Sequence, residues 1–215
     1  DNDMVGTDMT IGADSALHRI VEALDAIAST TAFKDRNFVV EVMGRNCGYL
    51  ALMGAIAGGA DYVLVPEHPA EDGWQEHMVG VLRRAREAGR RTSIVVVAEG
   101  AHTVDGTPIT SEQVRATVAE LTGEDARLTV LGHVQRGGRP SAYDRWMGSL
   151  VGHAAVAEVL AGADPVLVGV RANRARPTPL ADAVAATASV VELVAAGRAD
   201  EARALRGRSF VQMHR

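Results

Sequence analysis

Asp1 and Asp3 stand either side of Asn2, in a short segment that Gly6 and Gly12 allow to bend, and a periodic helix begins just after it near Asp14. Carboxylates on a tight loop ahead of a helix can take a proton from a substrate or approach a metal ion. The same residues also suit a solvated turn with a helix cap. Three further groups carry chemistry: Arg45 with Asn46, then Glu99, then His133, Gln135 and Arg136 among the glycines at 132, 137 and 138. Arginine forks bind phosphate oxygens bidentately, and a neighbouring glutamate can accept hydrogen bonds from sugar hydroxyls. Together the set suits a phosphosugar. Each member also has a plainer reading. Arg45 can close a helix end, Glu99 can pair with any surface arginine, and His133 can be a hydrogen-bonded core histidine. Cys47 fits a small buried apolar residue better than a nucleophile, and Met43 fits packing at the wall of a site.

The elements that must hold these groups follow from periodicity. Leu17, Ile20, Val21, Leu24 and Ile27 recur at helical spacing between Asp14 and about Thr30. Apolar runs at 38–43, 62–65, 93–98, 128–131 and 165–170 read as strands. Helices at about 49–58, 74–88, 110–121, 143–160, 180–196 and 199–205 alternate with them, the third opened by a Thr110–Gln113 capping box. Strands that are apolar throughout are covered on both faces, so the chain reads as α/β with a doubly wound parallel sheet. Ligands in such sheets lie beyond the carboxyl ends of the strands, where Arg45, Glu99, His133 and Arg136 fall. Arg36 and Arg127 sit just before strands, at the opposite end. Serving a site in the same subunit is awkward from there, and reaching into a neighbouring subunit is easier. The arginines at 83, 84, 86, 90 and 91 surround a helix C-terminus, which suits the helix dipole.

Composition narrows the function. The 215 residues are 47% apolar, enough to bury a core as one large domain or two small ones. With 4% aromatics and a net charge of −5, neither base stacking nor bulk electrostatics suits a nucleic-acid partner. Cys47 is the single cysteine, which rules out an internal disulfide and zinc sites built on several cysteines. No apolar run has spanning length and no signal peptide is seen, so no membrane partner and a cytoplasmic location are expected. The chain opens on Asp1 with no strand ahead of the loop, and so reads as beginning in the middle of a larger protein.

Four phrases now carry a family likeness. They are Asp1-Asn2-Asp3 with Gly6-Thr7-Asp8 and Thr10-Ile11-Gly12, Glu41-Val42-Met43-Gly44-Arg45 with Cys47-Gly48, Val97-Ala98-Glu99-Gly100, and Thr129 to Gly138. Together they resemble the 6-phosphofructokinase family, and Asp14 to Ile20 and Leu205 to Phe210 look like its eukaryotic ATP-dependent members. The likeness runs nearly end to end. It implies that Asp1 is the base that deprotonates the 1-hydroxyl of fructose 6-phosphate as it attacks the γ-phosphoryl of ATP. Arg45 then stabilises the transferring group and Asp3 lies near the Mg2+-bound phosphates. Met43, Gly44, Glu99, His133 and Arg136 hold the sugar phosphate, and Arg36 and Arg127 come from the neighbouring subunit. The resemblance further implies an allosteric glycolytic enzyme, a dimer or tetramer of identical chains with shared active sites. Residues 13–134 match the sugar-phosphate domain, residues 1–12 and 135–185 part of the nucleotide domain, and residues 186–207 helices that return to the first. The family's glycine-rich nucleotide loop precedes Asp1 and has no counterpart here, so the nucleotide-binding residues are not assigned. A pyrophosphate-dependent enzyme and a non-catalytic sugar-phosphate-binding half are the alternatives.

Overall fold

The computed structural model describes residues 1–30 and 36–213. Helix α1 (Ala13–Ser29) leads into β1 (Arg36–Val42), α2 (Tyr49–Ala57), β2 (Tyr62–Leu64), α3 (Trp74–Glu87), β3 (Thr92–Ala98), α4 (Ser111–Thr122) and β4 (Ala126–Val130). A 3-10 turn, Gly132–Arg136, precedes α5 (Ala142–Leu160). A hairpin of β5 (Val166–Arg171) and β6 (Arg174–Pro179) follows, then α6 (Leu180–Ala195), α7 (Ala199–Arg206) and α8 (Arg208–Met213). Among the described residues no helix is long and apolar enough to cross a membrane.

The first four strands form a parallel sheet in the order β2-β3-β1-β4. Its apolar runs bury both faces, as their sequence requires. Phe38, Val40, Val42, Ile94, Val96 and Ala98 face the layer made by α1 and α2. Val39, Val95 and Val97 face α3 and α4. Ile20 and Leu24 of α1 are fully buried, each such side chain stabilising the fold by about 1.5–3 kcal/mol. Glu41 interrupts the β1 run because it points toward α4, where its carboxylate accepts the Ser111 hydroxyl at the helix start. The capping box at Thr110 and Gln113 is present.

Three details differ from the sequence reading. The strand at 165–170 leaves the parallel sheet and pairs antiparallel with β6. The turn between them, Ala172 and Asn173, has φ of 49° and 60°, the positive pair of a type I′ hairpin. Asp8 helps hold it, accepting the Ala172 amide at 2.8 Å while its own amide donates to the Val170 carbonyl. The opening loop is thereby docked on the hairpin. The Gly-rich stretch after β4 forms a 3-10 turn, an element the sequence reading did not contain. The arginines around the end of α3 have tertiary partners besides the helix dipole: Arg83 donates to the Leu121 carbonyl, Arg86 to Glu124, and Arg90 to Asp61.

Candidate active site

The opening loop is shaped by the residue between its aspartates. Asn2 adopts φ 58°, a left-handed conformation that asparagine tolerates better than most residues. Its side chain turns inward and accepts the Thr10 amide at 2.7 Å, and its carbonyl accepts the Cys47 thiol at 3.3 Å. Asp1 lies beside two guanidinium groups. One of its oxygens is 2.7 Å from Arg136 Nη2 and the other 3.6 Å from Arg45 Nε. The Asp1 side chain is 9% exposed, whereas Arg45 and Arg136 are 75% and 52% exposed. The carboxylate is therefore fixed and sheltered, and the arginines can turn toward a ligand.

The loop after β1 is set by the end of β3. Glu99 accepts the amides of Gly44 and Arg45 through Oε1. Arg45 itself has φ 50°. A Cβ on Gly100 would lie 2.0 Å from the Arg45 carbonyl oxygen, so only glycine lets the two loops approach this closely. From the other side, buried Gln135 accepts the Met43 amide at 3.2 Å and donates to the Gly132 carbonyl at 2.9 Å. It ties the 3-10 turn to the end of β1. Cys47 is fully buried, and that burial, with Glu67 nearby, pushes its thiol up to about 12. It stays protonated at neutral pH and serves as packing.

A cavity of about 530 Å³ opens beside Asp1, lined in part by Ile11, Met43, Gln135, Arg136 and Asp144. Asp1, Arg45, Arg136, Met43, Gly44 and Glu99 thus come together. His133 is exposed on the 3-10 turn, which excludes a core role. Arg36 and Arg127 are the first residue of β1 and the second of β4, inside the strands by their hydrogen bonding, where positions just before the strands were expected. They remain at the amino ends. At ~3.3 Å per residue, β1 separates Arg36 from the loop of Arg45 by roughly 20 Å. Arg127 pairs loosely with Asp125 at 3.6 Å.

Asp144, in the first turn of α5, was not singled out by sequence reasoning. It is 5% exposed and accepts the amides of Gly12 and Ser15, both at 2.8 Å, and the Ser15 hydroxyl at 2.5 Å. It caps α1, whose own N-cap glycine supplies no side chain. Its one local signal is the Ser141–Asp144 spacing, which caps α5. In the full-length protein, Asp144→Ala should lower stability by about 3 kcal/mol, because three charge-assisted bonds are lost. A fall in the urea midpoint at constant m measures this; an unchanged midpoint would mean that the cap is dispensable.

Among the described residues no group of three or more His, Cys, Asp or Glu converges to hold a metal ion by itself. The donor set still fits Mg2+. Asp3 offers one half-buried carboxylate beside the site, whereas the Asp1 oxygens are taken by Arg136 and Arg45; Mg2+ binds through one or two carboxylates, completing its shell with water and substrate phosphates.

A family model described as phosphofructokinase matches residues 1–159, the stretch that carries every group described above except the closing helices and hairpin. The chain belongs to the phosphofructokinase family. The chain is 50% identical over 214 residues to the ATP-dependent 6-phosphofructokinase, muscle type, of Mus musculus, covering 98% of itself and 27% of that protein. It superposes along its full length on phosphofructokinase from Saccharomyces cerevisiae with a TM-score of 0.96 at 44% identity, and covers 29% of that chain. For the T-state crystal structure of Pichia pastoris phosphofructokinase the TM-score is 0.94 at 45% identity, again over the full length and over 23% of that chain. The chain therefore spans about a quarter of the length of each of these relatives.

Proposed function

We propose that the full-length protein containing this chain transfers the γ-phosphoryl group of ATP to the 1-hydroxyl of fructose 6-phosphate, giving fructose 1,6-bisphosphate in glycolysis. The observation that carries the reading is the sheltered Asp1 carboxylate held beside Arg45 and Arg136. In phosphoryl transfer the protein chiefly positions groups and neutralises charge, and this arrangement can do both. Asp1 accepts the proton of the 1-hydroxyl as the oxygen attacks. Arg45, mostly exposed and held through its backbone, swings to the equatorial oxygens of the transferring group. Met43 and Gly44 form the wall of the sugar site. Arg136 and His133 bind the sugar phosphate, and Glu99 offers the sugar hydroxyls the oxygen not used by the Gly44 and Arg45 amides. Asp3 would hold Mg2+, which supplies charge neutralisation on the phosphates when bound.

Arg36 and Arg127 bind the 6-phosphate in a neighbouring subunit of a homo-oligomer, a dimer or tetramer. Their place at the amino ends of β1 and β4 supports this. Residues 13–134 make up the sugar-phosphate domain. Residues 1–12 and 135–185 belong to the nucleotide domain, and residues 186–207 return to the first. The enzyme works in the cytoplasm.

The test is a fructose 1,6-bisphosphate assay on the full-length protein with ATP–Mg2+ and pyrophosphate–Mg2+ offered separately. Product with ATP is the expected result, in keeping with the ATP-dependent relatives. Product with pyrophosphate alone would transfer the reading to that donor. Binding of fructose 6-phosphate without product from either would make the chain part of a sugar-phosphate sensor.

A further inference from the structure

The loops of Asp1 and Arg45 must keep a fixed spacing, and one side chain outside the site touches both. Arg206, the last residue of α7, is 5% exposed. Its Nη1 donates to the carbonyl of Asp3 at 2.5 Å and its Nη2 to the carbonyl of Asn46 at 3.0 Å. Its Nε donates to Glu67 Oε1 at 3.0 Å. Glu67 is fully buried, and its other oxygen accepts the Gly48 amide at 2.8 Å. Every nitrogen of the guanidinium group is thus used, each on a different segment. Asp3 is two residues from Asp1, and Asn46 is next to Arg45.

Stability alone gives little reason for this arrangement. A buried ion pair costs about as much desolvation as it returns, and apolar residues of similar volume often do as well. A planar fork with three directed donors does something an apolar pair cannot: it fixes the relative position of the groups it binds. We infer that Arg206 is a positioning residue of the active centre, whose guanidinium group sets the Asp1–Asp3 loop against the Arg45–Gly48 loop. The inference rests on the function proposed above. The base and the charge-stabilising arginine are carried on loops that α7 locks together. A displacement of ~1 Å between reacting groups can cost on the order of 100-fold in rate, so freeing the loops acts on turnover more than on sugar binding.

The experiment uses the full-length protein and compares Arg206→Lys with the double variant Glu67→Leu/Arg206→Leu. The double variant leaves no unpaired buried charge, so it should stay folded, with a urea midpoint lowered by the loss of partners for the Gly48 amide and the Asp3 and Asn46 carbonyls. If Arg206 served only stability, the folded double variant would keep wild-type activity. The expected result is a kcat at least tenfold below wild type in the double variant, with the KM for fructose 6-phosphate within about threefold. Arg206→Lys keeps the charge but cannot reach all three partners, so it should show the same split of kcat from KM. Wild-type kcat in a folded double variant would overturn the inference. So would wild-type kcat in Arg206→Lys, which decides the matter should the double variant not fold. Absence of product from the wild-type protein would instead overturn the proposed function itself, and this inference with it.

Discussion

Asp1→Ala in the full-length protein should lower kcat by about 10³-fold, within the range that a positioned general base contributes. The KM for fructose 6-phosphate should change little, because Arg136, Glu99 and His133 remain. Stability should also change little. The partners of Asp1 are Arg45 and Arg136, both more than half exposed, and water takes over a guanidinium group that is already in solvent. That combination separates a chemical role from a structural one. Asp1→Asn keeps the shape and should lose nearly as much rate, since an amide cannot take the proton. A rate within tenfold of wild type in both variants would remove Asp1 from the base role, leaving it as an anchor for the two arginines.

Arg127→Ala should raise the KM for fructose 6-phosphate by roughly 10- to 100-fold, the cost of one charge-assisted bond to a phosphate, and leave kcat within about threefold. The sharper measurement mixes chains. If each site combines Asp1 of one subunit with Arg127 of its neighbour, random reassembly of Asp1→Ala with Arg127→Ala protein restores roughly a quarter of the wild-type sites. Both parents are impaired, so recovery is visible at low sugar concentration. No recovery on reassembly would place Arg127 outside any shared site, and with it Arg36, which lies at the same amino end of the sheet.

The frame was legible where the signal was local. Continuous runs such as 94–98 announce a doubly covered parallel strand, and the arginines at strand starts announce their distance from Asp1. The β6 strand was hidden because Arg-Ala-Arg-Pro-Thr-Pro is polar, with prolines that suit an edge, and its type I′ turn uses Ala172 and Asn173 where glycine would be the usual sign. The residues that hold the site were hidden for a different reason. Asp144 and Arg206 act on partners 129 to 203 positions away, and neither type nor spacing marks such a pairing in a single sequence. Gln135 was noticed as a polar residue at a strand end, yet its buried link to the Met43 amide depends on the 3-10 turn, which the glycine-rich sequence does not announce.

The Arg206 contacts also bear on when the site can exist during biosynthesis. The Asp3 carbonyl and its clamp are 203 residues apart, which at ribosomal speed is a wait of roughly 10–40 s. Through that interval the four parallel strands can already pair, while the loops of Asp1 and Arg45, linked by the Cys47 thiol and the Asp1–Arg45 pair, lack the Arg206 clamp. The Arg206 contacts between the two loops therefore form after the sheet, with the closing helices. A nascent chain interrupted between β4 and α7 would carry an ordered sheet and an unassembled site.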